Sequence, residues 1–202
     1  MIRPAAVALA AALLLTPLTA ACGTQAGAAA VVGDRRITVG DLQTATAEVR
    51  SIVQDPSQVT QQLVLGWLIV NPYVLQVASE KGRGVSTQDA QGFFTRSNFT
   101  NASGGTTPSE AALAAVQSAY ALQLLTGQDA TPQAAKSAVD EVLADLKAAD
   151  VDVNPRYGTF DYRWDEQTQS FTLTPRSPNW LEPRQAQAPA AATPAPTPSP
   201  SG

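Results

Sequence analysis

Histidine is absent from this chain of 202 residues, and cysteine and methionine occur once each. Without histidine no Ser-His-Asp or Cys-His arrangement can be assembled, and no zinc site of the usual ligand set. A single cysteine, Cys22, leaves no partner for a disulfide within the chain. Charge is sparse as well. The 13 Lys and Arg face 17 Asp and Glu, a net charge of −4, which is the wrong sign for a nucleic-acid footprint or a polybasic grip on anionic lipid. No GxGxxG or GxxxxGK[ST] pattern is present, and Gly33-Asp34-Arg35-Arg36 is no phosphate loop. A carboxylate-only metal site or a carboxylate-pair hydrolase stays open, but the acids are mostly scattered singly or share one helix (Asp140, Glu141, Asp145), which reads better as a solvated face. No enzyme, cofactor, metal or nucleic acid is expected.

The N-terminus does carry a pattern. Arg3 is followed by an uncharged stretch from Pro4 to Ala21, giving a positive start, an apolar centre and a small-residue end, the parts of a secretory signal over 1–21. The apolar centre, Ala5 to Leu15, is about 11 residues, well short of the roughly 20 that span a bilayer. Leu18-Thr19-Ala20-Ala21-Cys22-Gly23 resembles the lipobox of bacterial lipoproteins, with Thr19 where leucine is usual. That resemblance implies cleavage before Cys22 and lipid on its sulfur. Two or more acyl chains make a lasting anchor where one does not. The expected location is the outer face of the cytoplasmic membrane. A bacterial lipoprotein also gives no reason to glycosylate the Asn98-Phe-Thr and Asn101-Ala-Ser sequons. Residues 22–30 (Gly23-Thr-Gln-Ala-Gly-Ala-Ala-Ala30 after the cysteine) have the composition of a flexible tether with a reach of at most about 25–30 Å. Residues 185–202, almost entirely Ala, Pro, Thr and Ser, have too little apolar surface to offset ordering and read as a solvated tail.

Between these ends, 31–184 reads as one mainly helical domain. Ala29-Ala-Val-Val32, Gly33-Asp34 and Arg35 to Thr38 make a small β-hairpin or a bent strand. Thr38 is placed to cap a helix carrying Leu42, Ala45, Val49, Ile52 and Val53 on one face. A second helix from Gln58 to about Lys81 is apolar on nearly every side and must be covered. Pro72 within it removes the bond to the Leu68 carbonyl, so a kink and a break into two helices are both open. A third helix spans Thr87 to Arg96, a fourth Pro108 to Leu125, and a fifth starts at Thr131-Pro132. In the fifth, Ala135, Val139, Val142, Leu143 and Leu146 form the cleanest amphipathic stripe of the chain. Period-two alternation begins at Val151, and Trp164 and a strand over Ser170 to Thr174 follow. The late strand is expected to pair with the early one near Val31, so that a small β element joins the N- and C-terminal parts.

Three stretches together resemble the N-terminal chaperone domain of SurA/PrsA-type exported peptidyl-prolyl isomerases, in the form carried by actinobacterial lipoproteins. They are Ala30-Val-Val-Gly-Asp-Arg-Arg-Ile-Thr-Val-Gly-Asp-Leu42, the helix joint from Lys81 to Asp89, and Asp150-Val-Asp-Val-Asn-Pro-Arg-Tyr-Gly158, whose last six residues are the more specific piece. The resemblance implies a SurA N-terminal-like fold and an ATP-independent, holdase-like role. It does not carry isomerase activity, because only Gly127-Gln-Asp-Ala130 stands where full-length members insert the parvulin domain, whose sites rely on histidine. The expected client or partner surface is the apolar excess at Leu65, Trp67, Leu68, Tyr73, Phe93 and Phe94. The alternative is a non-catalytic cell-envelope scaffold, or a homodimer formed through the second helix.

Overall fold

The computed structural model describes residues 27–168 and 170–175. The expected signal peptide, Cys22, the first part of the tether, Trp180-Leu181 and the tail at 185–202 lie outside the described residues. A hairpin of β1 (Ala28–Val32) and β2 (Arg35–Thr38) opens the domain. There follow α1 (Val39–Ile52), a 3-10 turn (Pro56–Gln58), α2 (Gln61–Glu80), α3 (Thr87–Arg96), α4 (Glu110–Thr126) and α5 (Pro132–Ala148). Three strands close it: β3 (Val151–Val153), β4 (Thr159–Asp165) and β5 (Ser170–Thr174). The fold is thus mainly helical with a small antiparallel β component.

Each helix starts where a hydroxyl side chain satisfies an otherwise orphaned N–H. Thr38, Thr60, Ser86, Ser109 and Thr131 accept from Asp41, Leu63, Asp89, Ala112 and Ala134. Ser86 and Asp89 complete a reciprocal capping box. The N-terminus of α4 is also held by the buried Glu48 of α1, whose Oε2 accepts from Ser109 N (2.8 Å) and Ser109 Oγ (2.7 Å). A carboxylate there meets the positive end of the α4 dipole and ties α1 to α4.

The middle of the molecule is α2, packed against α1, α4, α5, β1 and β5. By length and composition α2 is apolar enough to cross a membrane, but its apolar side chains serve here as the centre of the core. It is one helix through Pro72. The Leu68 carbonyl, which the proline cannot serve, accepts from Arg35 Nη2 of β2 at 2.9 Å, and the same nitrogen reaches the Ile69 carbonyl at 2.9 Å. Asn71 Nδ2 donates to Ala114 O (2.9 Å) and Ser118 Oγ (3.0 Å), fastening the same turn to α4. The lost backbone bond is therefore replaced from outside the helix, and no break is needed.

Two expectations for the strands are corrected. Residues 28–30 are not tether. Ala28, Ala29 and Ala30 are buried in β1, the central strand of the sheet β2-β1-β3. Their composition reads as a linker, but both edges of the strand are paired, and Asn154 ties in its start. The Asn154 side chain donates to Ala28 O at 3.0 Å and its N–H to Ala29 O at 3.0 Å. The partner of β1 is β3, with Ala30 opposite Val153, and not the late strand over Ser170 to Thr174. That strand, β5, pairs with β4 in a sheet of its own. Asp165 Oδ1 accepts from Gln167 N at 2.8 Å and Thr168 N at 3.4 Å, closing a local turn. A short loop loses less chain entropy on closure than a return to β1 would.

Candidate functional site

The six residues of the expected surface do not form one. Leu65, Leu68 and Phe94 are 0%, 4% and 1% exposed and belong to the core. Trp67, Tyr73 and Phe93 are half-buried and packed against it. Phe93 is further covered by Tyr120, edge to face at 5.2 Å, and by Arg96, whose guanidinium sits 4.7 Å from the ring centre. The physical reason lies in α2, whose Val64, Leu65, Leu68, Ile69, Val70, Val74 and Val77 are buried by neighbouring elements, while Leu63, Trp67, Tyr73 and Leu75 stay half-buried. Val53 is the one large apolar side chain classed as exposed among the described residues.

Apolar surface that is left over gathers elsewhere, between α5 and β4. The stripe on α5 is wider than the core needs. Ala138, Val139, Val142 and Leu146 are buried, while Ala135 and Leu143 are half-exposed and, with the edge of Val139, floor a groove beside them. Trp164 of β4 forms the opposite wall and rests edge to face on Phe171 at 5.2 Å. Thr126 and Pro132 close one end, and Lys136, Asp140 and Glu166 stand at the rim. The groove encloses about 580 Å³, within the range of small ligand sites. Lys136 and Asp140 pair at 2.6 Å across one helical turn, whereas Glu166 makes no ion pair among the described residues.

A large bulge in β4 shapes that wall. Phe160 faces Leu173 and Trp164 faces Phe171, so three residues of β4 stand against the single Thr172. Tyr162 sits in the bulge at φ +49°, a conformation that costs a non-glycine residue on the order of 1–2 kcal/mol. Tertiary contacts hold it there. Its Oη accepts from Val151 N at 3.3 Å, and its ring lies edge to face on Phe160 at 5.0 Å. The strain is thus maintained from β3, and its effect is to set where along the sheet Trp164 stands.

A larger hollow of about 710 Å³ lies at the end of α4, lined by Arg83, Tyr120, Gln123, Leu124, Gln128 and Asp129 among others. Arg83 donates to the carbonyls of Leu124 and Asp129, so its charge already serves the helix end. The four carboxylates with a resolved shift all move down. Asp89 is lowered by the Ser86 side chain and N–H, Asp55 by Ser57, Asp165 by the Gln167 N–H and Thr168, and Glu141 by Lys81 and Ser137. Each is an exposed cap, turn or pair, and none is a proton donor at neutral pH. No group of His, Cys, Asp and Glu side chains able to hold a metal occurs among the described residues.

The signals for this groove were present in the sequence as the α5 stripe and Trp164. What joins them is the bulge, which depends on a contact between Tyr162 and Val151. Compared with known proteins, the chain matches no family model, no curated protein and no solved structure.

Proposed function

We propose that this chain is a lipid-anchored, non-catalytic binding protein of the cell envelope that holds short apolar stretches of unfolded exported chains. Its fold and role would be those of a SurA N-terminal-like chaperone without the isomerase. Lipid on Cys22 would keep it at the outer face of the cytoplasmic membrane. The observation that supports this reading best is the groove between α5 and β4, an apolar floor with an aromatic wall and a charged rim. It takes the place of the α2–α3 surface, where Leu65, Leu68 and Phe94 belong to the core and Trp67, Tyr73 and Phe93 are packed against it. Such a groove fits a few side chains of an extended segment, and it needs no nucleotide.

The test is aggregation of an unfolded exported protein in the presence of stoichiometric amounts of the purified chain. The reading expects aggregation to be slowed, and to be slowed less by Trp164→Ala. Unaltered aggregation kinetics would remove the chaperone reading. A second reading, a cell-envelope scaffold, is favoured by the modest size of the groove, which fits one defined partner better than many clients. A saturable complex with a single envelope protein, lost in Trp164→Ala, is the result expected of it.

A further inference from the structure

We infer that the groove between α5 and β4 selects extended segments that carry an apolar side chain and a lysine or arginine two residues apart, the cation being met by Glu166. The inference rests on the reading of this groove as a binding site and gives the chemistry of its partner.

Charge is the first observation. The charged side chains that line the groove are Lys136, Asp140 and Glu166. Lys136 and Asp140 stand 2.6 Å apart along α5 and neutralise each other. Glu166 is exposed and makes no ion pair or hydrogen bond among the described residues. Nearby cations do not answer it. Arg163 is not part of the lining, since strand alternation sends it with Asp165 to the other face of β4. Lys81 is paired with Glu141 at 2.9 Å. One cation thus faces two acids in the groove, and the charge left over is a carboxylate beside an aromatic wall.

Spacing is the second. Trp164 and Glu166 both line the groove, and at strand spacing they stand about 7 Å apart along the chain. A segment lying extended beside β4 sets its own side chains i and i+2 on one face at the same interval. An aliphatic or aromatic side chain then rests over Leu143 and the edge of Val139 against Trp164, while the next side chain on that face meets Glu166. A lysine or arginine there pairs with the carboxylate and lays its apolar stem along the indole. A glutamate there is repelled. An exposed pair contributes modestly, so the preference over a neutral residue is about two- to fivefold.

Fluorescence anisotropy with the purified protein and labelled peptides of about eight residues tests this. Each peptide alternates Leu, Phe and a variable residue with serine and glycine, so that the variable residue (Lys, Gln or Glu) follows Phe by two. At low salt the lysine peptide is expected to bind about two- to fivefold tighter than the glutamine peptide, with the glutamate peptide weakest. The order should flatten in about 0.5 M salt. Glu166→Gln, a change at an exposed position, is expected to bring the lysine and glutamine peptides level, and Glu166→Lys to favour the glutamate peptide. Equal binding of all three peptides by the unmodified protein overturns the inference and leaves the groove as a site for apolar segments in general. A lysine preference that persists in Glu166→Gln overturns it as well, because the cation is then met elsewhere. Binding of none of the peptides overturns the inference together with the reading of the groove. Affinities that weaken as the protein concentration is raised assign the groove to a second copy, and also overturn it.

Discussion

Arg35 is the residue whose removal reveals most about the interior. Its guanidinium is half-buried, burial holds its pKa below the usual arginine value, and it meets two carbonyls of α2 where Pro72 has no N–H to give. Arg35→Ala should destabilise the protein by about 1–3 kcal/mol, the cost of leaving a buried carbonyl unpaired. The penalty should shrink when Pro72→Ala supplies the missing N–H, with a coupling of at least about 0.5 kcal/mol between the two changes in urea unfolding. Strict additivity would mean that Arg35 does not repair the proline gap. Tyr157 makes the converse case. It is 3% exposed, and its Oη is buried without a hydrogen-bond partner among the described residues. Tyr157→Phe deletes only that hydroxyl, so the melting temperature should stay level or rise. A clear loss of stability would reveal a partner for the oxygen.

At the scale of elements, the helices were largely legible because their signals are local. Thr38, Ser86 and Thr131 mark starts by their own side chains, and the α5 stripe follows from spacing alone. What covers α2 was not legible, since an all-round apolar helix says that it is buried but not by what. Residues 28–30 misled for a related reason. Alanine is as suited to a packed central strand as to a linker, and only the partners β2 and β3 distinguish the two. The stretch Val153 to Gly158, which helped to carry the resemblance, has a local structural task. Asn154 ties β1, Tyr157 fills the core, and Gly158 turns into β4 at φ +111°. A Cβ on Gly158 would stand 2.3 Å from Thr174 O, so Gly158→Ala should unpair the start of β4 from β5 and cost several kcal/mol, on the order of 2–4 from strain and clash together. At Gly66 a Cβ would meet Phe171 O at 3.1 Å. Gly66→Val should push β5 away from α2 at a cost of about 1–3 kcal/mol, visible as faster hydrogen exchange in 170–174. Unchanged exchange there would mean that the hairpin does not depend on this close approach.

For the whole molecule, stability should depend on pH in one direction. The carboxylates of Asp55, Asp89, Asp165 and Glu141 all titrate lower in the folded protein than in the unfolded chain. Their contribution is therefore complete above the ordinary carboxylate range, near pH 4, and is lost as pH falls through the folded values. The melting temperature should hold level from neutral pH to about 5 and decline below about 4, modestly, since these groups are exposed and screened. A rise on acidification would contradict this assignment of the carboxylates.

The central claim is that the α5–β4 groove, and not the α2–α3 aromatics, takes the ligand. It is tested most directly by the affinity of a fluorescent, permanently unfolded client for two variants. Leu143→Glu puts a charge on the groove floor, and Val53→Glu puts the same charge on the exposed apolar residue at the end of α1. With both variants folded by circular dichroism, the account predicts that Leu143→Glu weakens binding about tenfold or more, a loss of about 1.4 kcal/mol, while Val53→Glu binds as the unmodified protein does. Equal binding by all three proteins, or a loss confined to Val53→Glu, would contradict it.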